Sequence, residues 1–76
     1  MVLVKIKKLV ARQLGIDVLS IDDNAKIIDD LAADSLDVVE LIMAIEDAFG
    51  IEIENEEYEG KQIIKEIVAM VESKLQ

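Results

Sequence analysis

Three blocks of this 76-residue chain repeat their apolar residues at three- and four-residue steps, and that period limits the fold more than any other feature. Leu3, Ile6, Leu9, Val10 and Leu14 form the first stripe, over a helix predicted from Val2 to Leu14. Val38, Leu41, Ile42, Ile45 and Phe49 form the second, over Ser35 to Phe49. Ile64, Ile67, Val68, Val71 and Leu75 form the third, over Lys61 to Leu75. Each stripe must be buried, and helices lying side by side bury all three together. Gly15 and Gly50 fall where the first two helices should close. A strand through Val2-Leu3-Val4-Lys5-Ile6 is the competing reading, set aside because the helical pattern runs past it.

The segments between the stripes are less regular. Ile16 to Asp34 makes a long connection whose Asp17, Ser20, Asp22, Asp23 and Asn24 favour turns. Ile16, Val18, Ile21, Ile28 and Leu31 are expected to pin it over the core, with a short helical turn near Asn24 to Ile28. Ile51-Glu52-Ile53-Glu54 alternates but has no evident partner strand. Asn55 can cap a short helix that Gly60 breaks. The expectation is an all-α fold, a small bundle of three main helices plus one short helix with a long first loop, in a single domain over residues 1–76.

Composition removes several classes of function. The chain has no cysteine and no histidine, which excludes disulfides and thiolate metal sites and withholds the commonest general base. Its serines are Ser20, Ser35 and Ser73, and no histidine can activate any of them. No glycine-rich phosphate loop and no alternating calcium loop is present, so neither a catalytic set nor a metal site is expected. The net charge is -9, and twelve of the seventeen acids lie between Asp29 and Glu59. No Lys or Arg occurs between Lys26 and Lys61. Such a field repels nucleic acid and anionic membrane surfaces and attracts basic protein patches. The plainer alternative is that acidity keeps a small domain soluble. No targeting segment or membrane span is visible, so a cytoplasmic monomer is expected.

Two features of the second helix go beyond core building. Leu36, Val39 and Met43 group on a side away from the core stripe, beside Glu40 and Asp47. An apolar stripe edged with carboxylates reads as a docking surface, unless other helices cover part of it. The second feature is Asp34-Ser35-Leu36-Asp37. Asp34 suits the N-cap, which leaves the Ser35 hydroxyl accessible at the mouth of the helix. Ser35 then makes sense as an acceptor acted on by another enzyme. The same four residues also read as an ordinary helix start, where Asp and Ser are both favoured.

Asp34-Ser35-Leu36-Asp37, preceded by Asp30-Leu31-Ala32-Ala33 and followed by Val39-Glu40-Leu41, closely resembles the acyl carrier protein family. The likeness covers essentially the whole chain, through Glu46-Asp47-Ala48-Phe49 and Glu52-Ile53. It implies that Ser35, flanked by Asp34, Leu36 and Asp37, carries 4′-phosphopantetheine placed there from coenzyme A by a phosphopantetheinyl transferase. It implies a carrier of acyl thioesters and not an enzyme, here of the free-standing type that serves fatty acid synthesis. Leu36, Asp37, Val39, Glu40, Met43, Glu46 and Asp47 would meet basic, partly apolar patches on the synthesis enzymes. Ile45, Ile53, Ile63 and Ile67 would line a pocket for the acyl chain. A carrier for polyketide or aminoacyl loading, and an unmodified acidic helical interaction module, remain as alternatives. The chain departs from the family pattern at Ala32, where glycine is usual, and at Glu54, where proline is common. It departs again at Gly60-Lys61, where the short helix usually continues and adds an apolar residue.

Overall fold

The structure, a computed structural model, describes residues 2–75. Met1 and Gln76, the two ends of the expected domain, lie outside the described residues. The architecture is all-helical. Helix α1 spans Val2–Leu14, α2 spans Ser35–Phe49, the single turn α3 spans Asn55–Tyr58, and α4 spans Ile64–Lys74. The expected all-α bundle of three main helices and one short one is what forms.

Helix α1 packs against both α2 and α4, and α3 leans on α4. Ile6 and Val10 of α1 meet Leu41, Ile42 and Ile45 of α2 and Ile64, Ile67, Val68 and Val71 of α4 in one buried cluster. Those side chains belong to the predicted stripes, and Val38 and Phe49 close the ends of the α2 stripe half-buried; Leu75, expected to end the α4 stripe, lies past the helix and is exposed. No buried polar or charged side chain interrupts the core among the described residues. Helices α1 and α2 end on Gly15 and Gly50, both left-handed at φ near +67° and +65°. Ile16 N–H reaches back to Ala11 C=O and Ile51 N–H to Glu46 C=O, the six-to-one bond of a glycine-closed helix.

The long first connection is held by a segment the periodicity had assigned to α4. Residues 61–63 are outside any helix, and Ile63 is extended and forms an antiparallel bridge with Lys26. Ile27 N–H donates to Gln62 C=O at 2.8 Å, and Ile64 N–H donates to Ala25 C=O at 3.1 Å. Helix α4 therefore starts at Ile64 and not at Lys61, because the preceding backbone is spent on the loop. Within that loop Ile21, Ala25 and Ile27 are buried, whereas Ile28 is 48% exposed. The core anchor is thus Ile27, one residue earlier than expected. The helical turn also differs: a 3₁₀ turn, Val18–Ser20, forms on the Asp17 cap, and residues near Asn24 to Ile28 form no helix.

Two further local readings shift by a residue. Glu54 and not Asn55 is the N-cap of α3, and its N–H donates to the Glu57 carboxylate at 2.7 Å. Asn55 instead accepts the Tyr58 hydroxyl at 2.6 Å. The Glu57 carboxylate also pairs with Lys74 at 2.7 Å, which ties α3 to the end of α4.

Candidate functional site

The site is built at the start of α2. Ala33 is buried, and its N–H donates to Ile27 C=O at 3.1 Å, which fixes the approach to the helix. To bring Ala33 inward from Leu31, Ala32 takes a left-handed conformation with φ +61°. Asp34 then caps the helix. Its Oδ1 accepts from Asp37 N–H at 2.9 Å, and Asp37 Oδ2 accepts from Asp34 N–H at 3.2 Å. This reciprocal pair satisfies backbone donors that would otherwise be left open at the helix start.

Ser35 follows as the first helical residue and is exposed. Its position between two fixed backbone points holds the hydroxyl outside the bundle. Beyond it runs the predicted second stripe. Leu36 is 64% exposed, Val39 43% and Met43 58%, so the other helices leave a large part of each in solvent. Glu40 and Asp47 are exposed alongside.

The carboxylates of this face are not equivalent. Glu40 Oε1 accepts from Gln13 Nε2 at 2.8 Å, a bond from α2 to α1. Glu46 is half-buried, and its Oε2 accepts from Ile53 N–H at 2.8 Å. That contact holds the strand-like Ile51-Glu54 segment to the end of α2. Asp37 is engaged in the cap. Asp47 makes no side-chain hydrogen bond or ion pair among the described residues, which leaves it the freest charge on the face.

The four isoleucines expected to line an acyl pocket lie in and beside the core. Ile45, Ile53 and Ile67 are buried in the packed core, and Ile63 is half-buried in the bridge to Lys26. A groove of about 330 Å³ lies beside Ser35. Ile27, Ile28, Ser35, Val38 and Val39 line it together with residues 58–62. Sequence reasoning missed this groove. The 58–62 side exists because α3 stops at Tyr58 and the chain turns through the left-handed Gly60, with Lys61 N–H donating to Tyr58 C=O; the glycine is a departure visible in sequence. Its loop side takes in both Ile27 and Ile28, whose placement no periodicity marks.

Residues 4–71 match the family model described as the phosphopantetheine attachment site. Two relatives bear the name acyl carrier protein. That of Solidesulfovibrio magneticus is 43% identical over 70 residues, covering 92% of this chain and 90% of the relative. That of Syntrophobacter fumaroxidans is 52% identical over 64 residues, covering 84% of this chain and 79% of the relative. With a matched model spanning nearly its whole length and relatives of this closeness, the chain belongs to the acyl carrier protein family.

Proposed function

We propose that Ser35 Oγ is the atom that carries 4′-phosphopantetheine, and that the protein shuttles acyl groups between the enzymes of fatty acid synthesis. The observation that carries the reading is the exposed Ser35 at a rigidly capped helix start, next to an uncovered apolar stripe. Members of this family carry groups and do not catalyse. When attached, the arm supplies a terminal thiol on which acyl groups are held as thioesters. The residues present fit the group. The Ser35 hydroxyl makes no side-chain hydrogen bond among the described residues, so a transferase meets no competing partner. The α2 dipole favours an anion there by about 0.3–1 kcal/mol. Asp34 and Asp37 oppose it, but each already accepts a backbone N–H.

Partner recognition falls to the rest of α2. Leu36, Val39 and Met43 offer apolar contact, and Asp47 and Glu40 offer charge to basic patches on synthases, reductases and acyltransferases. Charge of this kind raises the rate of encounter more than it tightens the complex, which suits a carrier that must leave after each step. No helix among the described residues is long and apolar enough to cross a membrane; we place the shuttle in the cytoplasm.

The test is to load the modified protein with malonyl and acyl groups, using transferases from fatty acid synthesis. Polyketide and aminoacyl-loading enzymes serve as the comparison. The fatty acid set should load it faster. Preferential loading by either comparison set would refute the pathway assignment.

A further inference from the structure

We propose that the outer faces of α1 and α2 together form a self-complementary surface that pairs with a second copy of this chain. The product is a weak two-fold dimer that covers the exposed apolar stripe of α2.

Charge is sharply divided between the two helices. Residues 1–16 hold Lys5, Lys7, Lys8 and Arg12 and no acid, while α2 holds Asp37, Glu40, Glu46 and Asp47 and no base. Lys7 is paired with Asp23 of the first loop. Lys5, Lys8 and Arg12 are exposed, and none has a carboxylate within 4.0 Å among the described residues. Their three- and four-residue steps put them on one side of α1, away from the buried Ile6 and Val10. Leu36, Glu40, Met43 and Asp47 share one side of α2 by the same steps, away from the buried Ile45.

The register within one molecule sets the register between two. Helices α1 and α2 lie side by side and antiparallel. Gln13 donates to Glu40 at one end, and Lys5 Nζ lies 5.7 Å from the centre of the Phe49 ring at the other. A two-fold axis along the seam between them turns a second copy over onto the first. Helix α1 of each copy then crosses α2 of the other, still antiparallel, which lays Lys5 over Asp47 and Arg12 over Glu40. Each of these two sets spans seven residues of helix, about 10.5 Å, so both pairs form at once. Lys8 lies between them and lays its methylene stem over Met43. The symmetry makes every contact twice.

A net charge of -9 on each copy opposes association. That repulsion acts at a distance and is screened beyond about 8 Å at physiological ionic strength, whereas charges in contact are screened less. Solvent-exposed pairs contribute little apiece, so the dimer is weak and the monomer expected from sequence is its dilute state. An extended anionic surface fits α1 less well, because it also meets the acids of α2. Weak pairing shields Leu36 and Met43 while the carrier is idle and yields the same face to a basic partner on encounter. Ser35 takes no part in the pairing, so the outcome is independent of where the arm is attached.

Sedimentation equilibrium at physiological ionic strength reads the association, with backbone amide NMR on the same dilution series. The mass should climb from monomer toward dimer as the protein approaches about 1 mM, the weak end of specific binding. Dilution should shift Lys5, Lys8 and Arg12 together with Glu40, Met43 and Asp47. Lys5→Glu and Asp47→Lys should each lower the association constant about tenfold, because each brings like charges together twice. Mixed in equal amounts, the two variants should bind each other about as tightly as wild type binds itself, since every reversed charge meets its opposite. Both positions are exposed, and circular dichroism melts check that each variant folds. Arg12→Glu with Glu40→Lys repeats the cycle at the other end of the face. A wild type that stays monomeric to about 1 mM would overturn the pairing. So would a mixture no tighter than either variant alone, or dilution shifts that spare α1 or α2.

Discussion

Ala32→Gly should make this protein more stable, against the usual direction of that substitution. Ala32 is held at φ +61° because the chain must double back between Leu31, packed on the core, and the buried Ala33. For an L-residue the left-handed region costs about 1–2 kcal/mol relative to the right-handed one. Glycine removes that cost but gives back about 0.5–1 kcal/mol through the freedom it adds to the unfolded chain. The Ala32 methyl is exposed, so its loss sacrifices little packing. The net gain is about 0.5–1 kcal/mol, which for a domain of this size is about 2–8 °C in Tm. Paired urea and thermal unfolding followed by circular dichroism will read it. Ala32→Val sharpens the test, because a β-branched side chain tolerates this backbone least and should destabilise by about 1 kcal/mol or more. The order Gly, Ala, Val in falling stability is the expected result. Glycine equal to or below alanine would refute the claim that strain is stored three residues before Ser35.

Glu46→Ala should cost about 1–3 kcal/mol in urea unfolding, because it orphans the Ile53 N–H that the carboxylate now accepts. Asp47→Lys should leave stability within about 0.5 kcal/mol but slow loading by partner enzymes, more at low salt than high. A loading rate independent of salt in both proteins would reject the docking face. Asp34→Ala should destabilise by about 1 kcal/mol through loss of the α2 cap, measurable by the same melts. Lys74 holds the Glu57 carboxyl below its ordinary range, first by their hydrogen bond, with a further lowering from Glu54 N–H. A depressed acid pKa means this contribution is complete above the ordinary glutamate value and lost as pH falls through the lowered one. The acid-side drop in stability should therefore shrink in Lys74→Met, as urea midpoints between neutral and acid pH will report.

The helices were legible because their apolar residues repeat, and burial follows the repeat closely in α1 and α2. The same reasoning misplaced the start of α4. Lys61 and Gln62 are ordinary helix residues by propensity, but the backbone at Gln62 and Ile63 pairs with Ile27 and Lys26 of the first loop, a contact distant in sequence that no local pattern records. Ile27 and Ile28 exchanged roles for the same reason, since a turn has no period to say which side chain faces inward. At the site, the Asp34 cap and the exposed Leu36, Val39 and Met43 followed from spacing around one helix, whereas the return bond from Asp34 N–H to Asp37 did not. The groove did not, because its lining comes from the first loop, from α2 and from residues 58–62 together. The unequal duties of Glu40, Glu46 and Asp47 were equally hidden, since they depend on Gln13 and Ile53 arriving beside them.

The central claim is that one hydroxyl is the tether, and the most direct measurement weighs the intact protein before and after incubation with coenzyme A and a phosphopantetheinyl transferase. Wild type should gain a single phosphopantetheine, while Ser35→Ala, folded by circular dichroism, should gain none. A full gain in Ser35→Ala, or none in wild type, would contradict the account.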